Sequence, residues 1–121
     1  MNTQLDTDVV PAITEIVRDY FEGWYDADPG RMARALHPEL AKRTQEDDGS
    51  VRTTTRDRML ELTLAGEGRE DGRDRTLEIT IADAHDGIAT AVVRSAVYRE
   101  YLQLVRTEEG WRIVNALWAP S

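Results

Sequence analysis

The chain has 121 residues, of which 40% are hydrophobic, and this length and composition predict a single domain spanning residues 1–121 around one core. Its net charge of -8 disfavours nucleic acid and anionic membrane surfaces as partners, because both are negatively charged. The sequence contains no cysteine, which excludes thiol catalysis, disulfide bonds, iron–sulfur clusters and cysteine-bound zinc.

The N-terminal stretch MNTQLDTDVV is acidic and lacks the positive start and apolar run of a secretory signal. No later stretch has the roughly 18 consecutive apolar residues that a membrane-spanning helix needs. We therefore expect a cytoplasmic protein that has no membrane partner.

Two helices are predicted near the N-terminus. The first is amphipathic and runs from Val9 to about Tyr25, because its apolar residues recur at spacings of three and four. The second is shorter, with Asp28 as its N-cap and Pro29 as its first residue. We expect Pro38 to stop it, because the residue before a proline is pushed out of the helical region.

A polar segment and a third helix are predicted next. Residues 41–54, AKRTQEDDGSVRTT, are predicted to be a polar connection with a turn at Asp48-Gly49. The third helix is capped by Thr54 or Thr55 and ends at Gly66. Residues 66–75 are predicted to form an exposed loop, and their sequence leaves open whether this loop closes over a pocket.

The rest of the chain is predicted to be strand. TLEITIADA and IATAVVRSAV flank a hairpin turn at Asp86-Gly87, and two more strands flank TEEG. Three helices followed by four strands in hairpins predict an α+β fold, in which the helices cover one face of an antiparallel sheet.

The register of the last hairpin decides which residues face the helices. A three-residue turn ending at Gly110 pairs Thr107 with Trp111 and Glu100 with Trp118. A two-residue turn would flip these assignments. With the three-residue turn, the inner face carries Glu100, Leu102, Leu104, Val114, Ala116 and Trp118. The outer face carries Tyr101, Gln103, Val105, Ile113, Asn115 and Leu117.

The outer face of this hairpin is mostly apolar, with Gln103 and Asn115 at its centre. Such a mixture is typical of a surface that meets another protein surface. The predicted partner is a second copy of the chain, which gives a two-fold homodimer through this face. A different protein bound to the same face is the alternative.

Two segments of the chain, YFEGWYDADPGRMARALHPELAKR and YLQLVRTEEGWRIVNALW, resemble the putative lumazine-binding family of the nuclear transport factor 2-like superfamily. Ketosteroid isomerases and polyketide cyclase-like proteins belong to the same superfamily. The resemblance implies a cone: a strongly curved antiparallel sheet around helices, a pocket at the open end, and frequent dimers through the sheet. The superfamily contains binding modules and enzymes, so the fold alone does not assign a function.

The resemblance points to Tyr20 and, through the inner face, to Glu100. Tyr20 matches the oxyanion-hole tyrosine of ketosteroid isomerases, whereas the position of their catalytic base falls at or near Thr44, which cannot abstract a proton at neutral pH. Steroid isomerase activity is therefore not expected. Glu100 either acts with Tyr20 inside the fold or lies in solvent or in a salt bridge with an arginine. The alternative for Tyr20 is a core aromatic residue whose hydroxyl is hydrogen-bonded to the backbone.

The two histidines offer a weaker site. His37 is a candidate proton carrier, but its predicted place at the end of a helix, just before Pro38, also suits a structural cap. His85 lies in a predicted turn. Their spacing does not match a metal site, and the sequence has no phosphate-binding glycine loop, so we expect neither a metal nor a cofactor.

Two functions from different classes follow. The first is a dimeric protein that binds a small apolar molecule in an enclosed apolar pocket, lined by Tyr20, Trp24, Leu102, Leu104, Val114, Ala116 and Trp118. The second is a cofactor-independent acid–base enzyme, an isomerase, cyclase or dehydratase of a small carbonyl or polycyclic compound, in which Glu100, Tyr20 or His37 moves the proton. A non-catalytic protein-interaction domain is a third possibility. The first two are distinguished by whether Glu100 and Tyr20 point into one pocket.

Overall fold

Three helices and six strands lie within the part of the chain that the computed structural model describes, residues 8–69 and 74–121. In chain order they are α1 Val9–Tyr25, α2 Pro29–Ala35, β1 Leu36–Gln45, β2 Val51–Thr54, α3 Arg56–Leu64, β3 Leu77–His85, β4 Ile88–Ser95, β5 Tyr98–Thr107 and β6 Gly110–Pro120. The helices pack on the sheet, which confirms the predicted α+β fold. The predicted loop over residues 66–75 lies in part outside the described residues.

The three predicted helices are present, and their N-caps explain where two of them begin. The Asp28 side chain accepts a hydrogen bond from the backbone N–H of Arg31, and the Thr55 hydroxyl accepts one from the backbone N–H of Arg58. None of the described helices is long and apolar enough to cross a membrane.

Residues 41–54, which were predicted to be a polar connection, instead belong to a hairpin formed by β1 and β2. Strand β1 pairs antiparallel with β2, and Lys42 lies opposite Thr54. Strand β1 also pairs with β6, and this pair is parallel, so the sheet is mixed, with the order β2-β1-β6-β5-β4-β3. The four predicted strands therefore account for only part of the sheet. His37 lies in β1 rather than at the end of α2, because the chain is already extended at Leu36, two residues before Pro38.

The first two helices are held together by a close contact and a partly buried ion pair. A Cβ atom at Gly23 would lie 2.9 Å from the backbone nitrogen of Met32, so this approach of α1 to α2 requires glycine. Asp19 is buried, and its Oδ1 accepts a hydrogen bond of 2.8 Å from the Nε of Arg31. These contacts fix α1, which carries Tyr20 to the inner face of the sheet.

The last hairpin has a two-residue turn and a compensating bulge. Thr107 pairs with Gly110, so the half nearest the turn is one residue out of the predicted register. The register then shifts opposite Gln103 and Leu104, and the pairs from Gln103–Asn115 to Glu100–Trp118 are those predicted.

This bulge moves two residues across the sheet. Ile113 is fully buried on the inner face, so its predicted place on the outer face is wrong. Val114 is half-buried and lines a groove with Gln103 and Asn115, so its predicted place in an inner pocket is also wrong. A single extra residue in β6 is enough to exchange them, because successive side chains point to opposite faces of a sheet.

Candidate functional site

A cavity of about 490 Å³ opens between the helices and the inner face of the sheet. Its buried end is formed by Tyr20, Lys42 and Glu100. Aromatic side chains form one wall, namely Trp24, Tyr98 and Trp118. Charged side chains form an exposed rim, namely Arg52, Arg58 and Glu67. The cavity is therefore not the purely apolar pocket that the sequence predicts.

The buried end holds a hydrogen-bonded chain of three polar groups. The Tyr20 hydroxyl donates a hydrogen bond of 2.8 Å to Oε1 of Glu100, and the Lys42 ammonium donates one to the Tyr20 hydroxyl oxygen. The Lys42 Nζ atom also lies 3.9 Å from the same carboxylate oxygen. Because Glu100 is only 2% exposed, its charge is compensated by these two groups rather than by water.

Three different elements bring these groups together. Tyr20 lies on the buried face of α1, Lys42 lies on β1 opposite Ala116 of β6, and Glu100 lies on β5 opposite Trp118 of β6. The site therefore depends on the sheet order, in which β6 is the common neighbour of β1 and β5.

Burial shifts the pKa values of two members of the chain. It raises the pKa of the Tyr20 hydroxyl well above its ordinary value, and the negative charge of Glu100 adds to this effect. Burial lowers the pKa of the Lys42 ammonium, Glu100 opposes this shift, and Arg52 adds to it. Tyr20 is therefore a neutral donor over the physiological pH range, and Lys42 loses its proton more readily than an exposed lysine.

The aromatic wall surrounds the Lys42 side chain. Its Nζ atom lies 5.0 Å from the ring centre of Tyr20, 5.9 Å from that of Trp24 and 5.4 Å from that of Trp118. The Trp24 indole donates a hydrogen bond of 3.2 Å to the Tyr98 hydroxyl, and the Tyr98 and Trp118 rings meet edge to face at 5.6 Å. These contacts fix the orientation of the rings.

The segment after α3 packs directly on this wall. A Cβ atom at Gly68 would lie 2.4 Å from the Trp24 indole, so any larger residue at this position would displace the ring. Gly68 thus places the chain against Trp24, next to the rim residue Glu67.

The predicted site residues fall into three groups. Tyr20, Trp24, Glu100 and Trp118 line the cavity. Leu102, Leu104 and Ala116 are buried in the core and do not line it, and Val114 faces the other side of the sheet. The pocket positions predicted for Leu102, Leu104, Ala116 and Val114 are therefore wrong.

His37 and Thr44 do not join the buried chain of polar groups. His37 lies beside a separate surface pocket, and its Nδ1 accepts a hydrogen bond from the backbone N–H of Glu39. His37, the third candidate proton carrier, therefore lies away from the cavity that Tyr20 and Glu100 line. The Thr44 hydroxyl donates to the backbone carbonyl of Trp118 over 2.8 Å, which is a structural contact.

Lys42 is the site residue that the sequence analysis missed. The segment around it was predicted to be a polar connection, so no inward direction was assigned to any of its side chains. One signal was available in the sequence: Lys42 is the only lysine among the 15 Lys and Arg residues of the chain.

The comparisons with known proteins identify the family of the chain and its fold. The sequence profile of the family described as putative lumazine-binding matches residues 8–119. The chain belongs to the putative lumazine-binding family. None of the curated proteins compared with it matches.

Solved structures show how widely the fold of this lumazine-binding family member occurs. An NTF2-like protein of unknown function from Silicibacter pomeroyi is 16% identical with a TM-score of 0.81, and the match covers 98% of this chain and 100% of that one. An NTF2-like protein from Shewanella baltica is 16% identical with a TM-score of 0.74, and the match covers 98% of each chain. A ketosteroid isomerase-like protein from Erwinia carotovora atroseptica is 14% identical with a TM-score of 0.67, covering 95% of this chain and 98% of that one.

Among the described residues, no group of three or more His, Cys, Asp or Glu side chains is placed to hold a metal ion. The titratable groups at the buried end of the cavity are instead one amine, one phenol and one carboxylate. The chemistry that the site offers is hydrogen bonding, charge and proton transfer.

Proposed function

We propose that the protein binds a small, largely aromatic molecule in this cavity and holds an oxygen atom of that molecule against Lys42. The observation that carries the proposal is the chain from Lys42 through Tyr20 to Glu100 at the buried end of an aromatic-walled cavity. A volume of about 490 Å³ lies within the usual range of small-molecule sites.

The donors and acceptors at the buried end select the chemistry of the ligand. The Tyr20 hydroxyl already donates to Glu100, so the free donor capacity belongs to Lys42, whose ammonium carries three N–H groups. A carbonyl, phenolate or carboxylate oxygen would accept from it. Flat rings suit the wall formed by Trp24 and Trp118. The family description supports ligand binding as the general role.

A second candidate is a cofactor-independent acid–base enzyme that acts on a small carbonyl or polycyclic compound. The observation that favours it is the continuity of the hydrogen bonds, through which a proton can pass from Lys42 to the Tyr20 oxygen while the Tyr20 proton passes to Glu100. An isomerase, cyclase or dehydratase would need such a relay. Conversion of the bound molecule, rather than its unchanged release, distinguishes this candidate from a binding protein.

Mass spectrometry under native conditions tests the binding proposal on the protein as purified. We expect a small molecule to co-purify with the wild type and with Leu64→Ala, a control at an exposed position of α3 outside the cavity. We expect Trp24→Ala to lose it, because losing an aromatic stacking partner weakens binding about tenfold. Where nothing co-purifies, titration with lumazine, a flat ring compound with carbonyl oxygens, is followed by tryptophan fluorescence. Equal retention by Trp24→Ala, or neither co-purification nor lumazine binding, would contradict the proposal.

We also propose that the outer sheet face joins two copies of the chain. Tyr101 and Leu117 are 46% and 54% exposed there, and they flank a hydrogen bond of 3.0 Å between Asn115 and Gln103. Val105 lies half-buried beside them, and Val114 takes the place that Ile113 was predicted to hold. Apolar side chains around a satisfied polar pair suit a two-fold contact.

Light scattering after size exclusion measures this association. We expect the wild type to be a dimer and Leu117→Arg to be a monomer, because an unpaired charge at the centre of the contact is costly. Leu64→Arg is the matched control, since Leu64 is 71% exposed on α3, and we expect it to remain a dimer. A wild type that is monomeric at micromolar concentration would rule out the dimer and leave the face for a different protein.

A further inference from the structure

Lys42 is the only lysine among the 15 Lys and Arg residues of the chain, and it lies at the buried end of the cavity. The two residue types differ in chemistry, because a guanidinium stays protonated in proteins while an ammonium can lose its proton and become a nucleophilic amine. A residue that supplied only a positive charge at position 42 could be an arginine like the others.

We propose that Lys42 is a nucleophile that forms a covalent imine with an aldehyde or ketone group of a molecule bound in the cavity. The proposal rests on the proposed function, because the same cavity must first hold that molecule. It adds the reactive group of the ligand and a bond-forming step.

The surroundings of Lys42 provide what such a lysine needs. Its side chain is 12% exposed, so most of its surface is removed from water while its amine still lines the cavity. The charged groups around it are Glu100 on β5 and Arg52 on β2, and Arg58 and Glu67 lie further out at the exposed rim. Burial lowers the pKa of Lys42, which increases the fraction of neutral amine.

The hydrogen-bonded chain supplies a route for the proton that the amine must lose. The Lys42 ammonium transfers one proton to the Tyr20 oxygen, and Tyr20 transfers its own proton to Glu100. The result is an amine, a phenol and a carboxylic acid, all neutral. This exchange removes a buried ion pair, whose charges are costly in a medium of low dielectric.

The step then balances without an oxidant or a reductant. The amine nitrogen of Lys42 attacks the carbonyl carbon, and a proton moves from nitrogen to the former carbonyl oxygen, which gives a carbinolamine. Glu100 returns its proton to the hydroxyl group through Tyr20, the C–O bond breaks, and water leaves. The products are a protonated imine on Lys42, a carboxylate on Glu100 and one molecule of water, so the ion pair is restored.

Reductive trapping with 2-naphthaldehyde and cyanoborohydride tests the proposal on the wild-type protein. We expect an adduct at Lys42 with the mass of the aldehyde less one oxygen, and peptide mapping separates it from any adduct at an N-terminal amine. We expect labelling to be about tenfold or more faster than labelling of Nα-acetyl-lysine at the same pH, because burial activates the amine. Labelling of Lys42 no faster than this reference compound would overturn the proposal.

Variants separate the covalent step from charge and positioning. Lys42→Arg keeps a cation and is expected to lose the adduct completely. Tyr20→Phe and Glu100→Gln keep Lys42 but interrupt the relay, so we expect both to slow labelling at a pH where Lys42 is already neutral. Glu100→Gln should also move the pH profile to lower pH, because Glu100 raises the pKa of Lys42. Unchanged labelling rates in both variants would contradict the relay. The wild-type peptide map does not depend on how well any variant folds.

The matched alcohol, 2-naphthalenemethanol, distinguishes failure of this proposal from failure of the proposed function. It has the same ring and cannot form an imine, so its binding, followed by tryptophan fluorescence, reports on the cavity alone. Binding of the alcohol without an adduct from the aldehyde would reject the imine and leave the binding proposal intact. Rapid labelling of Lys42 without measurable binding of the alcohol would support the imine and count against non-covalent binding of flat rings.

Discussion

Lys42→Met is expected to lower the free energy of unfolding by about 3–5 kcal/mol, because it leaves the Glu100 carboxylate buried without its cation. Glu100 is 2% exposed and would keep only the hydrogen bond from Tyr20. Urea unfolding followed by circular dichroism measures the loss. A variant as stable as the wild type would mean that the charge of Glu100 is not compensated by Lys42.

The double variant Lys42→Met with Glu100→Gln provides the control for this effect. It removes both charges at once, so we expect it to be more stable than Lys42→Met alone, with a coupling energy of about 2 kcal/mol between the two sites. Simple addition of the two single effects would show that the residues act independently.

The pH dependence of stability reports on Lys42 and Tyr20. The pKa of Lys42 is lowered in the folded protein, so between that lowered pKa and the unfolded value of 10.5 the unfolded chain binds more protons and the free energy of unfolding rises with pH. The pKa of Tyr20 is raised, so above 10.0 the unfolded chain releases a proton that the folded chain retains, and stability falls with pH. Lys42→Met should flatten the rise, and Tyr20→Phe should lessen the fall.

The helices could be predicted from the sequence because their signals are local. Asp28 and Thr55 cap α2 and α3, and apolar spacing marks α1. The β1–β2 hairpin has no such signal, because Lys42 and Thr44 face inward where a strand pattern needs apolar residues. Their inward position is stabilised by partners on α1, β5 and β6, which are distant in the chain.

Of the two charged residues at the buried end of the cavity, only Glu100 could be placed from the sequence, because the position of Lys42 depends on contacts that are distant in the chain. The position of Glu100 opposite Trp118 could be predicted because the two-residue turn and the bulge cancel before that pair is reached. Lys42 could not be placed without β1. The polar chain joins residues from three elements, and only the sheet order brings them to one end of the cavity.

Ile113→Ala is expected to destabilise the protein by about 2–5 kcal/mol, whereas Val114→Ala should cost less than about 1 kcal/mol. Ile113 is fully buried and pairs with Leu104, while Val114 is half-buried in the outer groove. A three-residue turn in the last hairpin would place Val114 inside and Ile113 outside, and the two effects would then be reversed. Urea unfolding of both variants therefore locates the bulge in β6. Both arrangements pair Glu100 with Trp118, so the measurement distinguishes them through the half of the hairpin next to the turn.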